Sequence, residues 1–140
     1  MITIEAFAPI DSIPDLQLIL PFEKRQKSRL LTRLVHGDMN SPEVGIFLPT
    51  GTILRGGDVL QSKDGRMIEV IAQNEAVMDA VADSPFNLLR AAYHLGNRHV
   101  SLQINEHSLR LLDDYVLENM LMQLGLQICK LHAPFEPEAG

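Results

Sequence analysis

Five histidines and one cysteine are the side chains best suited to bind a transition metal or to act in nucleophilic chemistry. They are His36, His94, His99, His107, His132 and Cys129. No two of the histidines lie four residues apart, and neither a His-Glu-x-x-His nor a Cys-x-x-Cys motif is present. We also find no serine in a nucleophile elbow and no convincing pair of carboxylates on one face. We therefore expect that the chain is not an enzyme.

One of these histidines falls at a defined structural position. Ser84 is a favourable N-cap and Pro85 suits the first helical position, and apolar residues at helical spacing then predict a helix that ends at a left-handed Gly96. Alternating residues predict a strand from His99 to Ile104. His99 would then be the first residue of this strand and lie on its polar face. An imidazole at such a junction can reach a ligand without disturbing the core.

The remaining candidates have weaker patterns. His94 falls on the polar side of the last helical turn, where it could be a ligand or an ordinary solvated residue that complements the helix dipole. His36 and His107 adjoin turn residues, which predicts surface positions. Cys129 is expected to be buried, as free cysteines commonly are.

Composition excludes several classes of protein. The 140 residues are 46% hydrophobic and carry 12 basic and 18 acidic side chains, for a net charge of −6. The only basic run, residues 24–29, is short enough to be a solvated strand or turn, so nucleic acid is not an expected partner. No apolar stretch approaches the ~20 residues of a membrane span, and no secretion signal is evident. A single cysteine fits a reducing compartment, and we expect a cytoplasmic protein.

The pattern changes near residue 74, which predicts two domains and an α+β fold. In residues 1–73, frequent proline and glycine separate short apolar segments, so we predict an all-β domain, a small sandwich or half-open barrel. Asp64-Gly65 between apolar runs predicts a hairpin. The glycine-rich segment 54–58 lacks the spacing of a phosphate loop and is interpreted as a tight turn.

Residues 74–140 have the pattern β-α-β-β-α-β. The second helix is predicted to begin after Asp113 or Asp114 and to end at Gly125, before a closing strand over 126–131. This order is typical of a ferredoxin-like domain with two helices on one face of a four-stranded sheet. The other face is then uncovered. Residues 134–140 are proline-rich and acidic, and we expect a mobile tail.

Three separated segments resemble one known family. They are Tyr-His-Leu-Gly-Asn-Arg-His at 93–99 (followed by Leu102-Gln103), Leu-Arg-Gly-Gly-Asp-Val-Leu at 54–60, and Ala-Pro-Phe-Glu-Pro-Glu-Ala-Gly at 133–140. In this order they closely resemble UreE, the urease accessory protein that carries nickel, over nearly the whole chain. The resemblance implies a peptide-binding type of β domain at 1–73 and a metal-binding ferredoxin-like domain at 74–140.

The resemblance also implies a function and site residues. His99 matches the histidine that the two subunits of a homodimer share as a nickel ligand, and His94 matches a histidine that binds metal in some members. Other members bind metal through a histidine-rich C-terminal tail, whereas this chain has only His132 near its tail. Asp113 and Tyr115 occupy positions where certain members have extra histidines. The implied role is a metallochaperone that hands Ni²⁺ to the urease accessory GTPase and its complex with apo-urease.

Coordination chemistry is compatible with this role. One imidazole is too few ligands, but a two-fold axis near His99 would supply a second, and water, His132 or a second dimer would complete the shell. Imidazole also suits Cu²⁺ and Zn²⁺, which we expect to substitute in vitro. Because only neutral imidazole binds metal, affinity should fall below about pH 6.5, the ordinary histidine pKa. The alternative is a protein-interaction module that binds an extended peptide on a β-domain edge, with metal incidental.

Overall fold

The computed structural model describes residues 1–35 and 41–140. These residues form two compact units, Met1–Gln73 and Asn74–Gly140. His36 lies outside the described residues, so the surface position expected for it stays a prediction. Among the helices described, none combines the length and hydropathy that a membrane span requires.

The first unit is a six-stranded sheet with one short helix. The strands are β1 (Ile2–Phe7), β2 (Leu16–Leu20), β3 (Arg29–Arg33), β4 (Glu43–Phe47), β5 (Val59–Ser62) and β6 (Met67–Ala72), and the helix is α1 (Phe22–Arg25). Their spatial order is β2-β6-β5-β1-β4-β3. The N–H of Val35, just after β3, donates to the carbonyl of Gln17 on β2 at 3.1 Å, so the two ends of the sheet approach each other. This barrel-like sheet confirms the predicted fold class of the unit.

The predicted turns of the first unit are present. Gly65 has a φ of +89° in the hairpin between β5 and β6, a conformation that glycine adopts at little cost. In the glycine-rich segment the backbone N–H of Arg55 donates to the Asp58 carboxylate at 2.7 Å, which closes a tight turn. The basic run 24–29 differs from the expectation, because Arg25 is fully buried and donates to the carbonyls of Leu20 and Leu54. Its charge thus helps to hold the interior of this unit.

The second unit has the predicted β-α-β-β-α-β order. Its elements are β7 (Asn74–Val81), α2 (Pro85–Asn97), β8 (Gln103–Ile104), β9 (Ser108–Leu112), α3 (Tyr115–Gln123) and β10 (Gln127–Pro134). The strand order is β10-β7-β9-β8, with every neighbouring pair antiparallel. This is the split β-α-β arrangement expected of a ferredoxin-like domain.

Both helices of the second unit pack on one face of its sheet. Ala91 and Leu95 of α2 and Leu121 of α3 are buried with sheet residues such as Met78 and Leu109. The Ser84 hydroxyl caps α2 by accepting from the N–H of Asn87 (3.2 Å), as predicted. Of the two aspartates proposed to cap α3, Asp114 does so, accepting from the N–H of Leu117 (3.0 Å).

The segment after β10 is anchored instead of being free. Phe135 is fully buried, and the carbonyl of Pro134 accepts from Arg110 Nη1 at 3.1 Å. The N–H of Glu136 donates to Gln103 Oε1 (2.9 Å) and the N–H of Glu138 to the carbonyl of Leu102 (2.7 Å). Arg110 and Gln103 are cross-strand partners on the helix-free face of the sheet. The tail therefore crosses this face toward the edge strand β8, contrary to the expected mobility.

Candidate metal site

His99 belongs to the motif that ends helix α2. The N–H of Val100 donates to the carbonyl of Leu95 (3.1 Å), and the N–H of His99 donates to the carbonyl of Gly96 (3.0 Å). These are the two hydrogen bonds of a Schellman motif, in which the residue after the C-cap is left-handed and is usually glycine. That residue here is His99, with a φ of +60°.

Two sequence predictions about this junction are wrong. The helix does not end at a left-handed Gly96, because Gly96 is itself helical and α2 continues to Asn97. The strand does not begin at His99, because β8 comprises only Gln103 and Ile104. Histidine is one of the few residues other than glycine that are enriched in the left-handed region, and no sequence rule would prefer it to a nearby glycine.

The His99 side chain is exposed and lines an open pocket of about 420 Å³. The walls include Gly96 of α2, the segment 100–102 and the end of the tail, residues 138–140. Among the described residues the imidazole has no hydrogen-bond or ion-pair partner. Its position is therefore set by the backbone, and the exposed side chain is accessible to a ligand.

The other candidate histidines are placed elsewhere. His94 is half-buried, and its ring packs edge-to-face against Tyr93 with centroids 5.3 Å apart. His132 is exposed on β10, whereas His99 leads into β8, and these strands are the two opposite edges of the sheet. Three interstrand spacings separate the edges, or about 14 Å. His99 and His132 of one chain thus lie toward opposite edges of the sheet. His107 is exposed next to Glu106, as predicted for a surface residue.

Among the described residues, the side chains of one chain do not form a multidentate metal site. Within residues 1–35 and 41–140, no group of three or more His, Cys, Asp or Glu side chains is arranged to hold an ion. Cys129, expected to be buried, is exposed. Cys129 pairs with Asp79 on the helix-free face of the sheet. The alternation of residues along β10 does not indicate which face Cys129 occupies.

An exposed apolar face on α2 was not predicted from the sequence. Phe86, Leu89 and Tyr93 recur at helical spacing, and each is about two-thirds exposed, at 67%, 70% and 67%. The opposite side of the helix contributes Ala91 and Leu95 to the core. The spacing of apolar residues in α2 could have revealed this face, because the helix has two apolar stripes. Only one stripe can be buried in its own domain, so the other is exposed.

Nearly the whole chain matches known protein families. Residues 3–73 match the model of the UreE urease accessory protein N-terminal domain, and residues 75–140 match that of the UreE urease accessory protein C-terminal domain. The chain therefore belongs to the UreE urease accessory protein family.

Individual relatives agree with this assignment. The chain is 50% identical over 124 residues to the urease accessory protein UreE of Cupriavidus necator, covering 89% of this chain and 62% of the relative. For the protein of the same name from Ectopseudomonas mendocina, the identity is 50% over 127 residues, with 90% and 74% covered. The Ralstonia nicotianae protein is 49% identical and is covered over 57% of its length. The chain thus spans little more than half the length of some relatives.

Proposed function

We propose that this chain is a non-enzymatic nickel metallochaperone that carries Ni²⁺ as cargo for assembly of the urease metallocentre. The supporting observation is the exposed imidazole of His99, held by the backbone in a pocket of the UreE C-terminal domain. A left-handed non-glycine residue costs on the order of 1 kcal/mol. A residue retained at that cost, with no partner for its side chain among the described residues, is best explained by a ligand.

A single imidazole requires a second chain to hold an ion. We infer a homodimer in which a two-fold axis brings the two copies of His99 together. In an isologous interface both subunits use the same surface, so a residue near the axis lies close to its own copy. The exposed face of Phe86, Leu89 and Tyr93 supports self-association through α2. Gly96 also supports it, although glycine weakens a helix by about 1 kcal/mol. Apart from its chain neighbours and the nearby helix backbone, a Cβ there would meet no described atom within 4 Å. A second chain can approach closely at such a position.

The remaining parts of the role follow from the family. Recipients of the ion would be the urease accessory GTPase and its complex with apo-urease, in the cytoplasm. His94 and His132 are secondary metal-binding candidates. The N-terminal β domain would bind an extended segment of a partner. A solvent-exposed site favours release of the ion, which suits a carrier. Cu²⁺ and Zn²⁺ should compete with Ni²⁺ in vitro.

Calorimetric titration of the whole chain with Ni²⁺ tests the proposal. His99→Gly should abolish stoichiometric binding while the fold is kept, because glycine is the preferred residue at this backbone conformation. His107→Gln, at an exposed histidine outside the pocket, serves as the matched control and should bind as the parent does. If His99→Gly retained both nickel binding and the ability to support urease activation, the protein-interaction module would be the better explanation.

A further inference from the structure

The tail places a carboxylate in the same pocket as His99. Glu138 and His99 both line the 420 Å³ pocket, and both side chains are exposed. Neither has a hydrogen bond or an ion pair to another side chain in the part of the chain that the structure describes. Among the described residues, an imidazole and a carboxyl group thus line one pocket with no side-chain partner.

The position of Glu138 is fixed by its main chain. Its N–H donates to the carbonyl of Leu102 at 2.7 Å, and the N–H of Glu136 donates to Gln103 Oε1 at 2.9 Å. Leu102 follows His99 by three residues, and three extended residues span at most about 11 Å. The tail therefore runs along the segment that leads out of His99, and these hydrogen bonds leave the carboxylate of Glu138 uncommitted.

We infer that Glu138 is a second ligand of the ion held by His99. This inference rests on the proposed function. Each chain then supplies one imidazole nitrogen and one carboxylate oxygen, and a symmetric pair of chains supplies four donors. Nitrogen and oxygen donors suit borderline ions such as Ni²⁺ and Zn²⁺ better than soft thiolate-seeking ions such as Cu⁺. The carboxylates also offset the charge of a divalent ion, which two neutral imidazoles cannot do.

The test compares Ni²⁺ affinity among single variants by calorimetry. Glu138→Gln keeps the main-chain hydrogen bond and the size of the side chain, so it removes only the charge and the anionic donor. We expect its affinity to be weaker than that of the parent by about tenfold or more, since loss of a residue that only supports a metal ligand already costs about tenfold. Glu136→Gln makes the same charge change two residues earlier in the tail and should have parental affinity.

High salt distinguishes coordination of the ion by Glu138 from long-range attraction by its negative charge. At about 1 M salt the Debye length is only about 3 Å, so attraction without contact is screened. A loss of affinity in Glu138→Gln that persists at this salt concentration supports coordination. Parental affinity in Glu138→Gln, or a loss that disappears in high salt, would overturn the assignment of Glu138 as a ligand. The role of His99 would be unaffected, because it is judged by His99→Gly alone.

Discussion

His99 and Gly125 occupy the same position in two copies of one helix-ending motif. At the end of α3, the N–H of Leu126 donates to the carbonyl of Leu121 and the N–H of Gly125 to that of Met122, both at 3.0 Å. His99 makes the corresponding bond after α2. Both residues are left-handed, with φ of +60° for His99 and +90° for Gly125. The domain thus contains two copies of this turn, one with histidine and one with glycine at the left-handed position.

Stability should respond in opposite directions at these two positions. His99→Gly relieves the left-handed strain and should raise the free energy of unfolding by up to about 1 kcal/mol. Gly125→Ala introduces the strain and should lower the free energy of unfolding by about the same amount. Beyond its chain neighbours a Cβ there meets no described atom within 4 Å, so the cost is that of the left-handed conformation alone. Urea unfolding measures both changes. A marked loss of stability in His99→Gly would contradict our account of this turn.

Self-association should depend on the exposed face of α2. Leu89→Glu places a charge at a position that is 70% exposed, so the fold should lose less than about 0.5 kcal/mol, whereas a dimer formed through this face should dissociate. Light scattering coupled to size-exclusion chromatography gives the mass. Met122→Glu on α3, at 56% exposure, is the matched control and should leave the mass unchanged. An intact dimer in Leu89→Glu would exclude this face as the interface.

Asp79 and Arg110 should be strongly coupled across β7 and β9. Arg110 Nε and Nη2 contact the two oxygens of Asp79 at 2.7 and 3.1 Å, and this interaction raises the pKa of Arg110. Both side chains are about four-fifths shielded from solvent. A double-mutant cycle with Asp79→Ala and Arg110→Ala should give a coupling free energy of about 1 kcal/mol or more. A value near zero would show that the pair contributes nothing beyond its separate side chains.

Acid should weaken the hairpin turn between β5 and β6. The Asp64 carboxylate accepts from Arg66 and from the Ser62 hydroxyl, which holds the pKa of Asp64 well below its ordinary value of 3.8. Because the folded-state pKa is lowered, the stabilisation is present above about pH 4 and is lost as pH falls below it. Asp64→Asn should therefore be less stable than the parent at neutral pH, with a smaller further loss on acidification.

Urea unfolding at pH 7 and at about pH 3 tests this behaviour. Glu106→Gln, which alters a carboxylate that is 88% exposed, is the control and should show the acid response of the parent. An identical loss of stability on acidification in Asp64→Asn and in the parent would contradict the proposed role of Asp64.

Much of the fold was predictable because local signals and burial agree. Ser84 and Pro85 mark the start of α2, Asp64-Gly65 marks a hairpin, and the apolar periods identify two helices on one face of a four-stranded sheet. Each signal depends on only a few neighbouring residues. The resemblance to the UreE family also depends on local sequence, since two of the segments that define it, 54–60 and 93–99, lie at a turn and at a helix end.

The candidate site was less predictable, because long-range contacts decide it. The sequence shows Gly96 three residues before His99, and the usual preference for glycine assigns the left-handed position to the wrong residue. Val100 packs against the core of the domain, and its N–H closes the end of α2 on the carbonyl of Leu95. In the same way, Gln103 and Leu102 hold the tail, although its proline-rich composition alone predicts mobility.

The pinned backbone of His99 has a kinetic consequence. Its N–H is bonded to the carbonyl of Gly96 while its ring lies in solvent, so two torsion angles govern where the imidazole points. Exposed side chains change rotamer within picoseconds to nanoseconds. The bond between His99 and an ion can therefore break by rotation of the ring, without any helix or strand having to open.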